Sequence, residues 1–154
     1  NAAPPPNFIN RNSGQFYIRG LETGVELRPS DKLEFGLVYT LTDVEDGPEY
    51  NPHLNREGKP EHVFNAVAQW RIGKLTLTCD AEYVLGLYDS DLLAGGAIQK
   101  VSDFFVANLK GSYALQQYLD LFMGVDNIFD RDYEQIPGYP MPGVTVFAGL
   151  KAQI

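Results

Sequence analysis

The residues in this sequence best equipped to hold another molecule are Tyr50, His53, Asn55 and Arg56 in one polar stretch, Tyr88 in a second, and Arg131 and Tyr133 in a third. Hydroxylated rings, an imidazole, a carboxamide and guanidinium groups offer stacking and hydrogen bonds, which is the chemistry of recognition rather than of bond breaking. All seven fall between regular segments, where binding residues concentrate on a rigid scaffold, so they are the expected ligand contacts; the alternative is that each only solvates the surface. Catalytic sets are thin. Ser90 and Ser102 have no histidine close in sequence to activate a hydroxyl. His53 and His62 stand nine residues apart with no cysteine beside them, a weak pattern for zinc. The stretch Asp43-Val44-Glu45-Asp46-Gly47 lacks the alternating oxygen ligands and distal Glu of a calcium loop, and Asp89 with Asp91 reads as a solvated turn. No catalytic group, metal site or cofactor is expected, and the chain is read as a non-enzyme.

Those stretches have to be held by something, and the rest of the chain has one dominant period. Apolar and polar residues alternate over about 15–28, 32–42, 62–72, 74–87, 101–113, 118–127 and 143–154, a strand signal repeated seven times. In the fourth segment Leu75, Leu77, Cys79, Ala81, Tyr83, Leu85 and Leu87 share one face, with Thr76, Thr78, Asp80 and Glu82 on the other. The last carries Val144, Val146, Ala148, Leu150, Ala152 and Ile154 on one side. Connections alternate between short (about 29–31, 73 and 115–117) and long (about 43–61, 88–100 and 128–142), so the short ones fall at one end of the sheet.

Composition is that of an ordered domain: 154 residues, 44% hydrophobic and 21% charged. A net charge of -8 excludes a phosphate-tracking nucleic-acid binder, and no apolar run is long enough for a spanning helix. A single cysteine, Cys79, allows no internal disulfide. The strands, however, match the roughly nine to eleven tilted residues that cross a bilayer. Long strands with short turns at one end and long loops at the other predict an all-β, antiparallel, up-and-down transmembrane β-barrel. Leu75, Leu77, Ala81, Leu119, Leu121, Val146, Leu150 and Ile154 are then expected to face lipid, and Glu22, Glu26, Glu34, Asp80, Glu82, Asn108, Lys110, Asp120, Asp126 and Lys151 the lumen. Trp70 and Tyr113 near the short turns, and Tyr39 and Tyr83 near the other rim, fit aromatic girdles. Alternation alone also fits a small barrel acting as an anchor or adhesin, or a soluble β-sandwich binding module. Seven strands cannot close as antiparallel neighbours, so the chain is expected to be part of a larger barrel, with 1–14 as a Pro-rich loop.

The stretch Val125-Asp126-Asn127-Ile128-Phe129-Asp130-Arg131-Asp132-Tyr133, then Gly138-Tyr139-Pro140, Pro142-Gly143 and a final alternating strand, resembles the carboxy-terminal end of TonB-dependent outer-membrane receptors. Asn127, Phe129, Asp130, Tyr133, Pro142 and Gly143 carry that likeness; Gly24-Val25-Glu26-Leu27 and Pro60-Glu61-His62 extend it upstream more weakly. Val144 stands where the family commonly has Arg, and Ile154 where it commonly ends on an aromatic residue. The resemblance implies a barrel of about 22 strands in the bacterial outer membrane, its lumen filled by an amino-terminal plug absent from this chain. It also implies energised uptake of a scarce extracellular ligand such as a ferric siderophore, haem or cobalamin. The implied partners are membrane lipid, the rest of the barrel and plug, and an inner-membrane energy-coupling protein, with no cofactor and no nucleic acid.

Overall fold

A computed structural model describes residues 16–45 and 56–152. Its strands are β1 (Tyr17–Ser30), β2 (Leu33–Glu45), β3 (His62–Ile72), β4 (Leu75–Leu85), β5 (Tyr88–Asp91), β6 (Ala97–Lys100), β7 (Phe104–Gln116), β8 (Leu119–Asp126), β9 (Glu134–Ile136), β10 (Tyr139–Pro140) and β11 (Thr145–Ala152). Seven of them form one antiparallel meander in the order β1-β2-β3-β4-β7-β8-β11. Two-residue connections pair Ser30 with Leu33 and Ile72 with Leu75, and Gln116 with Leu119. Gly73, with φ at 59°, supplies the left-handed conformation that such tight hairpins need.

Register keeps every apolar stripe on the same side, because a slip of one residue would invert a whole strand. Across β1 to β4 the pairs run Val25↔Leu37, Leu37↔Ala66 and Ala66↔Ala81. They continue as Cys79↔Leu109, Leu109↔Val125 and Val125↔Val146. The closing stripe is thus matched rung for rung: Ala148 to Met123 and Leu150 to Leu121. No second layer covers either face among the described residues. Among the described residues the buried apolar ones are few: Val44, Val84, Leu87, Val101, Phe104 and Ala107. Four of these, Val84, Leu87, Val101 and Phe104, cluster at the long-loop end against Val63, Val106 and Tyr133.

Local departures from strict alternation have local causes. Leu87 does not share the face of Leu75 to Leu85: β4 stops at Leu85, Gly86 turns at φ 68°, and Leu87 drops into the buried cluster. A Cβ on Gly86 would lie 2.8 Å from that of Glu61, so both space and dihedral require glycine. The segment expected from 101 begins as a strand only at Phe104, since Val101 is held in the same cluster. β1, β2 and β7 run two to three residues further than alternation suggested, to Ser30, Glu45 and Gln116. Two of the long connections are themselves hairpins, β5-β6 and β9-β10, rather than irregular loops.

Candidate ligand-facing surface

A hollow of about 660 Å³ is bounded by residues from six strands, including Val38, Val67, Glu82, Asn108, Asp126 and Thr145. A cavity touched by so many neighbouring strands forms only on the concave side of a curved sheet. All those residues have the polar-face parity, so the polar side chains line the inside of the curve. Towards the short turns Arg28 pairs with Glu26 and Glu34, and Arg71 with Glu34, while Lys110 sits 5.3 Å from the centre of the Phe122 ring. Higher up, Asp80, Glu82 and Asp126 have no ion pair among the described residues. Asn108 connects this region to the last loop: its Nδ2 donates to Asp80 Oδ2 at 2.6 Å and its Oδ1 accepts from the Asn127 backbone at 2.9 Å.

Asn127 is the one buried polar residue among the described residues, and it is fully engaged. It is 3% exposed, its backbone is left-handed at φ 50°, and both ends of its carboxamide are bonded to main chain. Nδ2 donates to the carbonyls of Arg131 and Pro142 at 2.9 and 3.2 Å, and Oδ1 accepts from the Arg131 N-H at 2.9 Å. Asp130, also left-handed at φ 48°, accepts from Val144 N-H at 2.8 Å. Gly143 lies so close that a Cβ there would be 2.6 Å from the Asp130 carboxylate. Asn127, Asp130, Pro142 and Gly143, four of the six residues that carry the family likeness, therefore clasp the loop at its two feet and aim the chain into β11.

The expected ligand contacts separate in space. Tyr50, His53 and Asn55 lie outside the described residues, as does Ile154 of the apolar set. Arg56 donates to the Val44 carbonyl at 3.4 Å and stands 3.9 Å from Glu61. Tyr88 opens β5, half-buried, its carbonyl accepting from Gly58 N-H at 2.9 Å. Tyr133 lines the concave hollow with its ring 4.7 Å from Phe104, and burial followed by the nearby Glu82 charge raises its hydroxyl above the ordinary tyrosine pKa. Arg131 instead lines a groove with Tyr83, Asp103, Phe105 and Phe129, on the opposite side of the sheet. Asp89 and Asp91 are used locally: Asp89 Oδ1 accepts from Ser90 N-H, while Asp91 accepts from Leu93 and Ala94 N-H and from the Gln99 amide.

On the outward side Leu75, Leu77, Ala81, Leu119, Leu121, Val146 and Leu150 occupy one continuous surface by register. At its long-loop edge runs a row of rings, Tyr39 to Phe64 at 4.6 Å, Phe64 to Tyr83 at 6.3 Å, Tyr83 to Phe105 at 6.4 Å and Phe105 to Phe129 at 6.0 Å. Sequence reasoning found Tyr39 and Tyr83 in this row; the whole of it follows only from register. Trp70 and Tyr113 stand at the other edge, about 20 to 27 Å away at about 3.4 Å per residue along β3 and β7. With the strand tilt of about 35–45° usual in outer-membrane barrels, that path projects to about 14 to 22 Å along the membrane normal, somewhat less than their apolar band of about 25 Å.

No family model matches the chain. The ferric enterobactin receptor of Pseudomonas aeruginosa is 27% identical over 121 residues, covering 74% of this chain, which spans only 16% of that receptor. Among solved structures, the ferric-catecholate import receptor Fiu of Escherichia coli K12, in its closed form, superposes with a TM-score of 0.73 at 21% identity, covering 89% of this chain and 21% of Fiu. FpvA of P. aeruginosa bound to heterologous pyoverdines gives 0.72 at 14% identity over 89% of this chain and 19% of FpvA. The FrpB iron transporter of Neisseria meningitidis gives 0.65 at 16% identity, over 89% of this chain and 24% of FrpB.

Proposed function

We propose, from the match to the carboxy-terminal barrel region of TonB-dependent siderophore receptors, that this chain is a late section of an outer-membrane barrel taking up a scarce ligand. The ligand class is a ferric siderophore or a comparably scarce compound such as haem or cobalamin. The role is transport without catalysis. The apolar surface meets lipid, the concave polar surface borders the passage, and the outer loops make first contact with the ligand. Energy enters through a plug and an inner-membrane partner that engage parts of the receptor outside this chain.

One observation carries this reading: a single sheet whose apolar residues stay in register across all seven meander strands, opposite a hollow bounded by carboxylates and amides. A soluble protein rarely leaves so broad an apolar surface bare. The outer edges of β1 and β11 are unpaired in the meander, and unsatisfied N-H and C=O groups cost several kcal/mol each in hydrocarbon. The remaining strands of the receptor supply the pairing.

The candidate contacts are Tyr50, His53, Asn55, Arg56, Tyr88 and Tyr133; Arg131 leaves this set because its groove faces outward. Replacing Tyr50, His53 and Arg56 together by alanine in the full-length receptor is expected to weaken binding of a ferric catecholate at least about tenfold, or about 1.4 kcal/mol. Unchanged affinity in equilibrium binding would remove these loops from recognition.

A further inference from the structure

Among the described residues, Arg131 is a cation of the outward surface whose head group is unmatched. Its backbone is fixed at both polar atoms by the Asn127 carboxamide, so the side chain starts from a rigid base. The guanidinium makes no ion pair or hydrogen bond among the described residues. It borders an open groove of about 450 Å³ with Tyr83, Phe105, Phe129 and Asp103. Asp103 is already engaged, accepting from Gly86 N-H at 3.0 Å and facing Lys100 Nζ at 3.5 Å. Asp103 is thus drawn to Lys100, which leaves Arg131 without an ion-pair partner in the groove, in a chain whose net charge is -8. The rings of the groove end the aromatic row, and Phe129 is 66% exposed. An uncancelled cation beside apolar rings, at the edge of an apolar band, matches the two halves of an anionic lipid.

We propose that this groove is a binding site for the phosphate headgroup of an anionic lipid in the outer leaflet. Arg131 takes the phosphate, and Tyr83, Phe105 and Phe129 receive the first segment of its acyl chains. The site rests on the reading that the apolar surface meets lipid, and adds to it a preference for one headgroup chemistry at one position. The groove is separate from the concave hollow, which Tyr133, two residues on, lines instead.

The test uses the full-length receptor in mixed micelles containing phosphatidylglycerol and phosphatidylcholine, with retained lipids counted by native mass spectrometry. The wild type is expected to retain phosphatidylglycerol about fivefold over phosphatidylcholine, the effect of about one cation near a headgroup. Arg131→Gln is expected to abolish the preference while leaving phosphatidylcholine retention unchanged, and Arg131→Lys to keep most of it. A wild type without preference, or an Arg131→Gln variant that keeps it, overturns the headgroup site and leaves the lipid-facing surface standing. A receptor that retains neither lipid and is monodisperse without detergent overturns the lipid-facing surface itself.

Discussion

Asn127 commits its whole carboxamide to the main chain, and does so from a left-handed backbone that few residue types tolerate. Asparagine tolerates positive φ better than most residues and also carries both a donor and an acceptor. Asn127→Ala strands an N-H and two carbonyls at the base of the last loop, at an expected cost of about 1–3 kcal/mol, with about 1 kcal/mol more for the dihedral. Asn127→Gly loses the same bonds without the dihedral penalty, so urea unfolding of the full-length receptor in detergent should place it about 1 kcal/mol above the alanine variant. Equal stability would mean that the φ of 50° carries no strain. Little of this was legible beforehand. The sequence marks Asn127 and Asp130 as part of a family pattern, yet their partners are backbone groups of residues as distant as Pro142 and Val144, which no local period reveals.

At the scale of elements, long strands were readable and short ones were not. Eight to fourteen alternating residues give several repeats of the period, whereas β5, β6, β9 and β10 have four residues or fewer. Their turns did leave a trace in Gly95-Gly96 and Gly138, all at positive φ. The pairing of β8 with β11 adds a feature that alternation hides: Phe147 lies opposite Gly124, and Gly149 opposite Phe122. A Cβ on Gly124 would come within 2.4 Å of the Phe147 ring, and one on Gly149 within 2.5 Å of Phe122. Each ring covers the glycine across from it, and because the arrangement is reciprocal it fits only one register. Gly149→Ala is expected to cost about 1–3 kcal/mol through overpacking. Adding Phe122→Ala should recover part of that loss, and a double-mutant cycle showing no coupling would mean the ring does not rest on the glycine.

For the whole molecule, the two faces differ in what surrounds them, and the difference can be measured. Leu77 lies on the apolar surface and Thr78, its neighbour, on the opposite one, paired with Lys110. In the lipid-embedded receptor Leu77→Arg is expected to cost about 2–4 kcal/mol if it sits near the midplane, and Thr78→Arg far less. Equal tolerance, read from unfolding of the receptor in vesicles, would reverse the assignment of the faces. Sidedness could be inferred from the period because a strand offers only two directions; that the concave side carries the carboxylates needed the curvature of the sheet. The meander has a further implication. β1 and β11 point the same way, since an odd number of alternating strands separates entry from exit of the path. Chimeric receptors built by exchanging this block therefore obey a parity rule: an odd block can be traded only for another odd block, because an even replacement would deliver the chain to the wrong side of the bilayer.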